Sequence, residues 1–433
     1  MSRARPDRRL LAALLALGVL VAALVGCSDD GPTPGPDGGA TAPADVAAAV
    51  RAALDARAAA VRAGDAEAFG RTVGGDRGFR AEQQTWYANL TQLPLGRFRY
   101  RFDPASLVRD DTGYWVTVDE VLQLDGYDAA PVVSHDRFRF GPVNGAGRVR
   151  LTSVTDPEWQ AAHGVHPQPW DLGRIEVREG FGVLGVFDAG SVGSADALVA
   201  SVETGISDVS AWVPYDWSRH VVVYALSAPT FLDSLDDVPG DDPGDLDAVS
   251  FPAGKGTRFV LNPRVIGRAG SAEVDRLVRH ELTHVAVGTH DDRAPVWLSE
   301  GLAEWVSVRP IPPEERRIPD SALRAAERGT LRDLPDDDTF NDDDSQAHYG
   351  LAWWVVESIA NSYGEQAPWT LLDAMTAPGA DWKEVLRDQL GTSARELARQ
   401  ATTLILATYA PPPTSTTTPT STPNTTPTAK PTS

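Results

Sequence analysis

Cysteine is almost missing from this sequence of 433 residues, and acidic side chains outnumber basic ones. The single thiol, Cys27, cannot form a disulfide within the chain, so the folded part must rely on its apolar core. The length suffices for this and suggests about two or three domains. Acidic residues number 60 against 39 basic residues, a net charge of -21. Such a chain repels phosphate backbones, so we expect no nucleic acid partner.

An apolar run of 16 residues, 10–25, follows four arginines near the start of the chain. It is marginal for crossing a bilayer, which needs about 20 residues, and is typical of an export signal. The sequence Leu24-Val25-Gly26-Cys27 resembles the bacterial lipobox, in which the cysteine is lipidated. We therefore predict a lipoprotein signal peptide at residues 1–27 and a lipid anchor on Cys27. The anchor would hold the chain on the outer face of a bacterial cell membrane. A plain signal peptide or an uncleaved anchor would also place it outside the cytoplasm.

In two segments the apolar residues do not recur at the spacing of a helix or a strand. Residues 28–44 are rich in Gly, Pro and Asp, which indicates a flexible linker. Residues 411–433 are almost entirely Thr, Pro and Ser, and we predict a disordered tail because they cannot form a core.

Helical and then strand-like patterns fill residues 45–167. Apolar residues recur at helical spacing from Val46 to Val61, and alternating runs such as 114–124 indicate antiparallel strands. This order predicts an α+β unit. Residues 60–69 (AVRAGDAEAF), followed by such strands, resemble the cone-like nuclear-transport-factor-like (SnoaL-like) fold. The resemblance implies a structural or ligand-binding accessory domain.

The remaining folded sequence, residues 170–410, contains the strongest chemical motif, His280-Glu281-Leu282-Thr283-His284. The surrounding residues predict a helix over 273–287, with Ser271 as its N-cap and Gly288 as its stop. Residues four apart lie on one face of a helix, so both imidazoles can reach one metal ion. Glu281 lies within reach of a water on that ion and is our candidate general base.

A second motif follows at residues 295–306 (PVWLSEGLAEWV). Pro295 suits a helix start, and Glu300 and Glu304 lie on one face of that helix. A catalytic zinc site needs three protein ligands, and Glu300 would be the third. Glu304 would accept the outer N–H of a ligand histidine and fix its tautomer.

Together the two motifs resemble the gluzincin clan of zinc metallopeptidases, and specifically the peptidase MA-like family of bacterial proteins. The resemblance implies a mixed sheet with active-site helices over residues 170–410. It also implies one Zn²⁺ bound by His280, His284 and Glu300, with Glu281 as the base. The substrate would be a peptide or protein. Fifteen residues separate His284 from Glu300, fewer than in the membrane alanyl aminopeptidases, so endo- or exopeptidase action stays open.

The same family implies two further features. In it a tyrosine opens a later helix and faces the metal, and Tyr349 matches that position. Tyr349 would donate to the oxyanion of the reaction, although the neighbouring His348 has the same capacity. Residues 257–262 (TRFVLN) would be an edge strand that pairs with an extended substrate.

Two other functions compete with that of a protein-cleaving enzyme. One is a non-catalytic, zinc-containing surface lipoprotein that binds a ligand or partner through its N-terminal domain. Glu281 argues against this, because a structural zinc site needs no base. The other is hydrolysis of cell-wall peptides, which the sequence does not distinguish from protein cleavage.

Overall fold

The computed structural model describes residues 44–410, except residues 146, 236, 237, 239–243 and 245. The predicted signal peptide with Cys27, the linker up to residue 43 and the predicted tail lie outside the described residues. All described residues belong to one compact unit. Within them, no helix is both long enough and apolar enough to cross a membrane.

The N-terminal part combines five helices, two long and three short, with an antiparallel sheet. Its helices are α1 (Ala44–Ala63), α2 (Ala66–Thr72), α3 (Arg77–Leu90), α4 (Pro157–His163) and α5 (Pro169–Leu172). Its strands are β1 (Leu95–Phe102), β2 (Val108–Arg109), β3 (Tyr114–Leu124), β4 (Val132–Phe140) and β5 (Leu151–Ser153). The order is β1-β3-β4-β5, with β2 beside β3. Phe98 lies opposite Leu122, and Val116 lies opposite Phe138. These residues form the inner, buried face of the sheet.

A second sheet and most of the helices form the C-terminal part. Its strands are β6 (Ile175–Gly180), β7 (Val183–Asp188), β8 (Val221–Ala225), β9 (Ala248–Ala253) and β10 (Gly256–Leu261). The helices are α6 (Ala195–Ser210), α7 (Pro263–Ile266), α8 (Ala272–Val287), α9 (Val296–Ser307), α10 (Asp320–Arg328), α11 (Ser345–Tyr363), α12 (Ala367–Met375), α13 (Trp382–Leu390) and α14 (Ala394–Tyr409). The strand order is β6-β7-β8-β10-β9. The three inner strands are parallel, and β6 and β9 pair antiparallel with them at the two edges.

The position of β10 overturns one expectation. Residues 257–262 were expected at a sheet edge, but β10 pairs with β8 on one side and β9 on the other, so that prediction is wrong. Phe259, Val260 and Leu261 are all buried, as suits an inner strand that is covered on both faces. The edge strand is β9, which contains Pro252, a residue that cannot donate to a ladder and is tolerated at sheet edges.

The second sheet is covered on both faces. Val221 and Val223 of β8 pack with the C-terminal helices, whereas Val222 and Tyr224 pack with the N-terminal part. An ion pair between Arg258 of β10 and Asp128 joins the two parts, with side chains only 4% and 6% exposed. Helices and two sheets therefore share one compact arrangement, and the predicted α+β class is confirmed.

Candidate metal centre

Helix α8 presents the first motif on a rigid, capped segment. The Ser271 hydroxyl accepts a hydrogen bond from the Val274 N–H, and Gly288 ends the helix with φ +57°. Both caps match the prediction, because their chemistry is local. Val278 and Leu282 are buried in the core, which fixes the helix about its axis. His280 and His284 therefore project together from one side, one turn apart.

Helix α9 brings the second motif to the same place. It begins after Pro295 and carries Glu300 as a buried residue. Its neighbour Gly301 lies against α11, where a Cβ atom would stand 2.7 Å from the carbonyl oxygen of Ala352. The glycine thus allows close approach of two helices, and α11 is the helix that carries Tyr349.

Three donor atoms converge between these helices. The Nε2 atoms of His280 and His284 are 3.3 Å apart. Oε2 of Glu300 lies 3.2 Å from Nε2 of His280 and 3.6 Å from Nε2 of His284. Ligands at 2.0–2.1 Å from a tetrahedral Zn²⁺ would be separated by about 3.3–3.4 Å. The Glu300 oxygen is also fully buried, so its charge needs either a bound cation or protons on the two imidazoles to offset the cost of burial. The donor set fits a zinc ion.

A carboxylate lies beside the second ring nitrogen, Nδ1, of each histidine. Nδ1 of His284 is 2.7 Å from Oδ2 of Asp291, and Nδ1 of His280 is 3.3 Å from Oε1 of Glu304. Each contact keeps a proton on Nδ1 and leaves Nε2 free to bind a metal. The Ser299 hydroxyl donates to Asp291, and Arg276 donates to Glu304.

Asp291 and Ser299 were not predicted as site residues. Asp291 lies seven residues beyond His284, in a short 3₁₀ segment after the end of α8. The spacing of residues along α8 therefore could not predict that its side chain meets His284. The only sequence signal is the presence of an acidic residue between the two motifs.

The charges of the site shift the pKa values of its residues. Burial lowers the pKa of His280, but Glu300 and Glu304 raise it to about 9. Burial raises the pKa of Glu304, but Arg276 and His280 lower it to about 2. The pKa of Glu300 is likewise brought far below its usual value against the effect of burial, by both histidines. A metal ion and protons therefore compete for the same imidazoles.

Glu281 and Tyr349 lie in the same cavity as the three donors, and His348 does not. Glu281 is buried and accepts a hydrogen bond of 2.6 Å from the Ser250 hydroxyl. The Tyr349 ring centroid is 6.3 Å from that of His280. Burial and the charges of Glu300, Glu281 and Glu304 raise the Tyr349 pKa well above 10, so its hydroxyl keeps its proton. His348 instead has Nδ1 2.9 Å from the Phe340 carbonyl and lines a separate pocket.

The cavity has a volume of about 260 Å³ and is bounded on one side by β9. Residues 248–252 of that edge strand line it, together with the histidines, Glu281, Glu300, Asp291, Ser299 and Tyr349. Among the described residues, His280, His284 and Glu300 form the group of histidine, cysteine or acidic side chains close enough to share a metal ion. The arrangement places three candidate metal ligands, a buried carboxylate and a protonated phenol beside the edge strand of the described sheet.

No protein-family model, curated protein or solved structure matches this chain. The function must therefore be argued from the geometry of the cavity and from the two motifs.

Proposed function

We propose that this chain is a zinc-dependent metallopeptidase of the gluzincin type, similar to the peptidase MA-like proteins. The spacing of three donor atoms supports this most strongly, since all three separations lie near the value for a tetrahedral zinc ion. A site with three protein ligands leaves a fourth position for solvent or substrate, as catalysis requires.

A bound Zn²⁺ would act as a Lewis acid and lower the pKa of a bound water to about 7. Glu281 follows the first histidine on α8, and its carboxylate lies in the same cavity. In the proposed reaction Glu281 accepts the proton of the attacking water and later delivers it to the leaving amine. A purely structural metal site would have no use for this carboxylate.

Tyr349 is the proposed donor to the oxyanion. Its hydroxyl is protonated at neutral pH, and its side chain lines the cavity. A hydrogen bond aimed at the developing negative charge strengthens as that charge forms, which is how such donors accelerate acyl transfer. The position of His348 in the separate pocket leaves Tyr349 as the better candidate.

The substrate we propose is an extended peptide lying along β9. This strand borders the cavity, and no described strand pairs with its outer side, so in this proposal the backbone groups there pair with a peptide. Edge pairing would deliver a peptide carbonyl towards the histidines without demanding one particular side chain.

The setting of the enzyme is also a proposal. The motif at Cys27 supports a lipid anchor at the outer face of a bacterial membrane. The helices and antiparallel sheet of residues 45–167 support a cone-like, nuclear-transport-factor-like accessory domain, which here packs on the second sheet.

The test is the variant Glu281→Gln. It should retain one zinc ion per chain and lose hydrolysis of a quenched peptide library by about 10²–10⁴-fold, the usual contribution of a general base. Glu327→Gln on α10, where the side chain is exposed, is the matched control and should behave as the wild type. Undiminished turnover in Glu281→Gln would end the assignment. Zinc without turnover in the wild type would favour the non-catalytic lipoprotein.

A further inference from the structure

We propose that Ser250, on the edge strand β9, is a positioning residue that holds the carboxylate of Glu281 in its working orientation. The proposal rests on the peptidase function and adds a residue that lies outside both motifs. Among the described residues, the hydrogen bonds that the Ser250 side chain donates go to Glu281, so it would act through Glu281.

The contact itself is short and specific. The Ser250 hydroxyl is 2.6 Å from Oε2 of Glu281, within the range of a hydrogen bond donated to a charged oxygen. The same hydroxyl is 3.4 Å from the Glu281 carbonyl, a weaker alternative acceptor. In the described part of the chain, Ser250 is the sole hydrogen-bond donor to the Glu281 carboxylate. A buried carboxylate with a single donor depends on that donor for its orientation.

The strand that carries Ser250 is held in place by packing on the face opposite the Ser250 side chain. Side chains alternate along β9, so the Ser250 hydroxyl contacts Glu281 while the side chains of Val249 and Phe251 pack in the core shared with the N-terminal part. The Phe251 ring centroid lies 5.8 Å from that of Tyr224 and 5.5 Å from that of Phe231, within the core shared with the N-terminal part. This packing gives the hydroxyl a defined position.

Holding Oε2 would leave the second oxygen of Glu281 available for proton transfer. The carboxylate otherwise rotates about its terminal bond, and a general base works only when it lies within hydrogen-bond distance of the proton it accepts. Preorganisation by an adjacent donor removes the unproductive orientations before the substrate arrives. The effect should appear in kcat, because Ser250 has no part in binding the metal.

The experiment compares Ser250→Ala, Ser250→Thr and Ser218→Ala in zinc-loaded, full-length protein. Ser218 is exposed, and within the described ranges its side chain hydrogen-bonds to the backbone of His220 alone, so its variant should match the wild type. With a quenched peptide library, Ser250→Ala should lower kcat about 10-fold, with zinc content retained and KM changed less than about 2-fold. Ser250→Thr, which keeps the hydroxyl, should restore most of the rate.

A double-variant comparison separates positioning from damage to the strand. In a Glu281→Gln background, adding Ser250→Ala should change the residual rate by less than about 2-fold, because the group that Ser250 orients is already disabled. An equal further loss in both backgrounds would overturn the proposal.

A crystal structure of zinc-loaded Ser250→Ala supplies a readout that needs no turnover. The Glu281 carboxylate should rotate or become disordered relative to the wild type, and an unchanged orientation would overturn the proposal even if the wild type cleaved no library peptide. Wild-type inactivity would count against the peptidase function itself, so the two failures are distinguishable.

Discussion

The contact between Asp291 and His284 offers a direct test of how zinc is held. Replacing Asp291 by alanine removes the acceptor 2.7 Å from Nδ1 of His284 and frees the ring to change tautomer. The two side chains are only 22% and 12% exposed, so solvent screens the contact weakly. Losing such a carboxylate partner reduces metal affinity about 10–100-fold, or about 1.4–2.7 kcal/mol.

The assay is competition for Zn²⁺ between the protein and a chromophoric chelator at fixed pH, with bound metal counted by mass spectrometry. Asp320→Ala is the matched control, because that carboxylate is 91% exposed on α10 and should leave the affinity unchanged. Asp291→Asn should fall between Asp291→Ala and the wild type, because its amide oxygen still accepts a hydrogen bond. An affinity of Asp291→Ala within about threefold of the wild type would refute the assignment of Nε2 of His284 as a zinc ligand.

Three further outcomes are expected. Zinc affinity should rise between pH 7 and pH 9, by about tenfold per pH unit for each proton displaced, because the His280 pKa of about 9 keeps that imidazole protonated in the metal-free protein. Calorimetry in buffers of different ionisation enthalpy measures the number of protons released. A zinc affinity that does not change with pH would contradict this prediction. Tyr349→Phe should lower kcat about 10²-fold with zinc retained, as seen by steady-state kinetics, and an unchanged kcat would remove Tyr349 from the mechanism. Burial, then the charge of Asp171, raises the Glu120 pKa from 4.5 to about 8. The folded state then binds more protons than the unfolded state between these values, so stability should fall as pH rises from about 4.5 to 8. In denaturant titrations Glu120→Gln should flatten this slope, with a gain in stability of about 4 kcal/mol at pH 8 that shrinks to about 1 kcal/mol at pH 5.

The identity of the edge strand could not be predicted from the sequence pattern. Residues 257–262 contain two β-branched residues and an aromatic one, which indicates a strand but carries no information about its neighbours. Which strands flank β10 depends on contacts with β8 and β9 that are distant in sequence. The buried run Phe259-Val260-Leu261 was a signal for an inner strand, and Pro252 was a signal for an edge, but neither indicated the strand order.

The sequence alone determined the parts of this protein that depend on short-range geometry. A helix places residues four apart on one face, so HELTH implied two converging imidazoles. Ser271 and Gly288 marked the helix ends through hydrogen bonds to nearby backbone groups of the same helix. Only the tertiary structure decided which distant groups meet them. Glu300, which the second motif had already predicted as the third ligand, lies 3.2 Å from His280, whereas the contacts of Asp291 with His284 and of Ser250 with Glu281 were found only in the structure. These contacts come from packing between separate elements, where no fixed spacing along the chain relates one residue to the next.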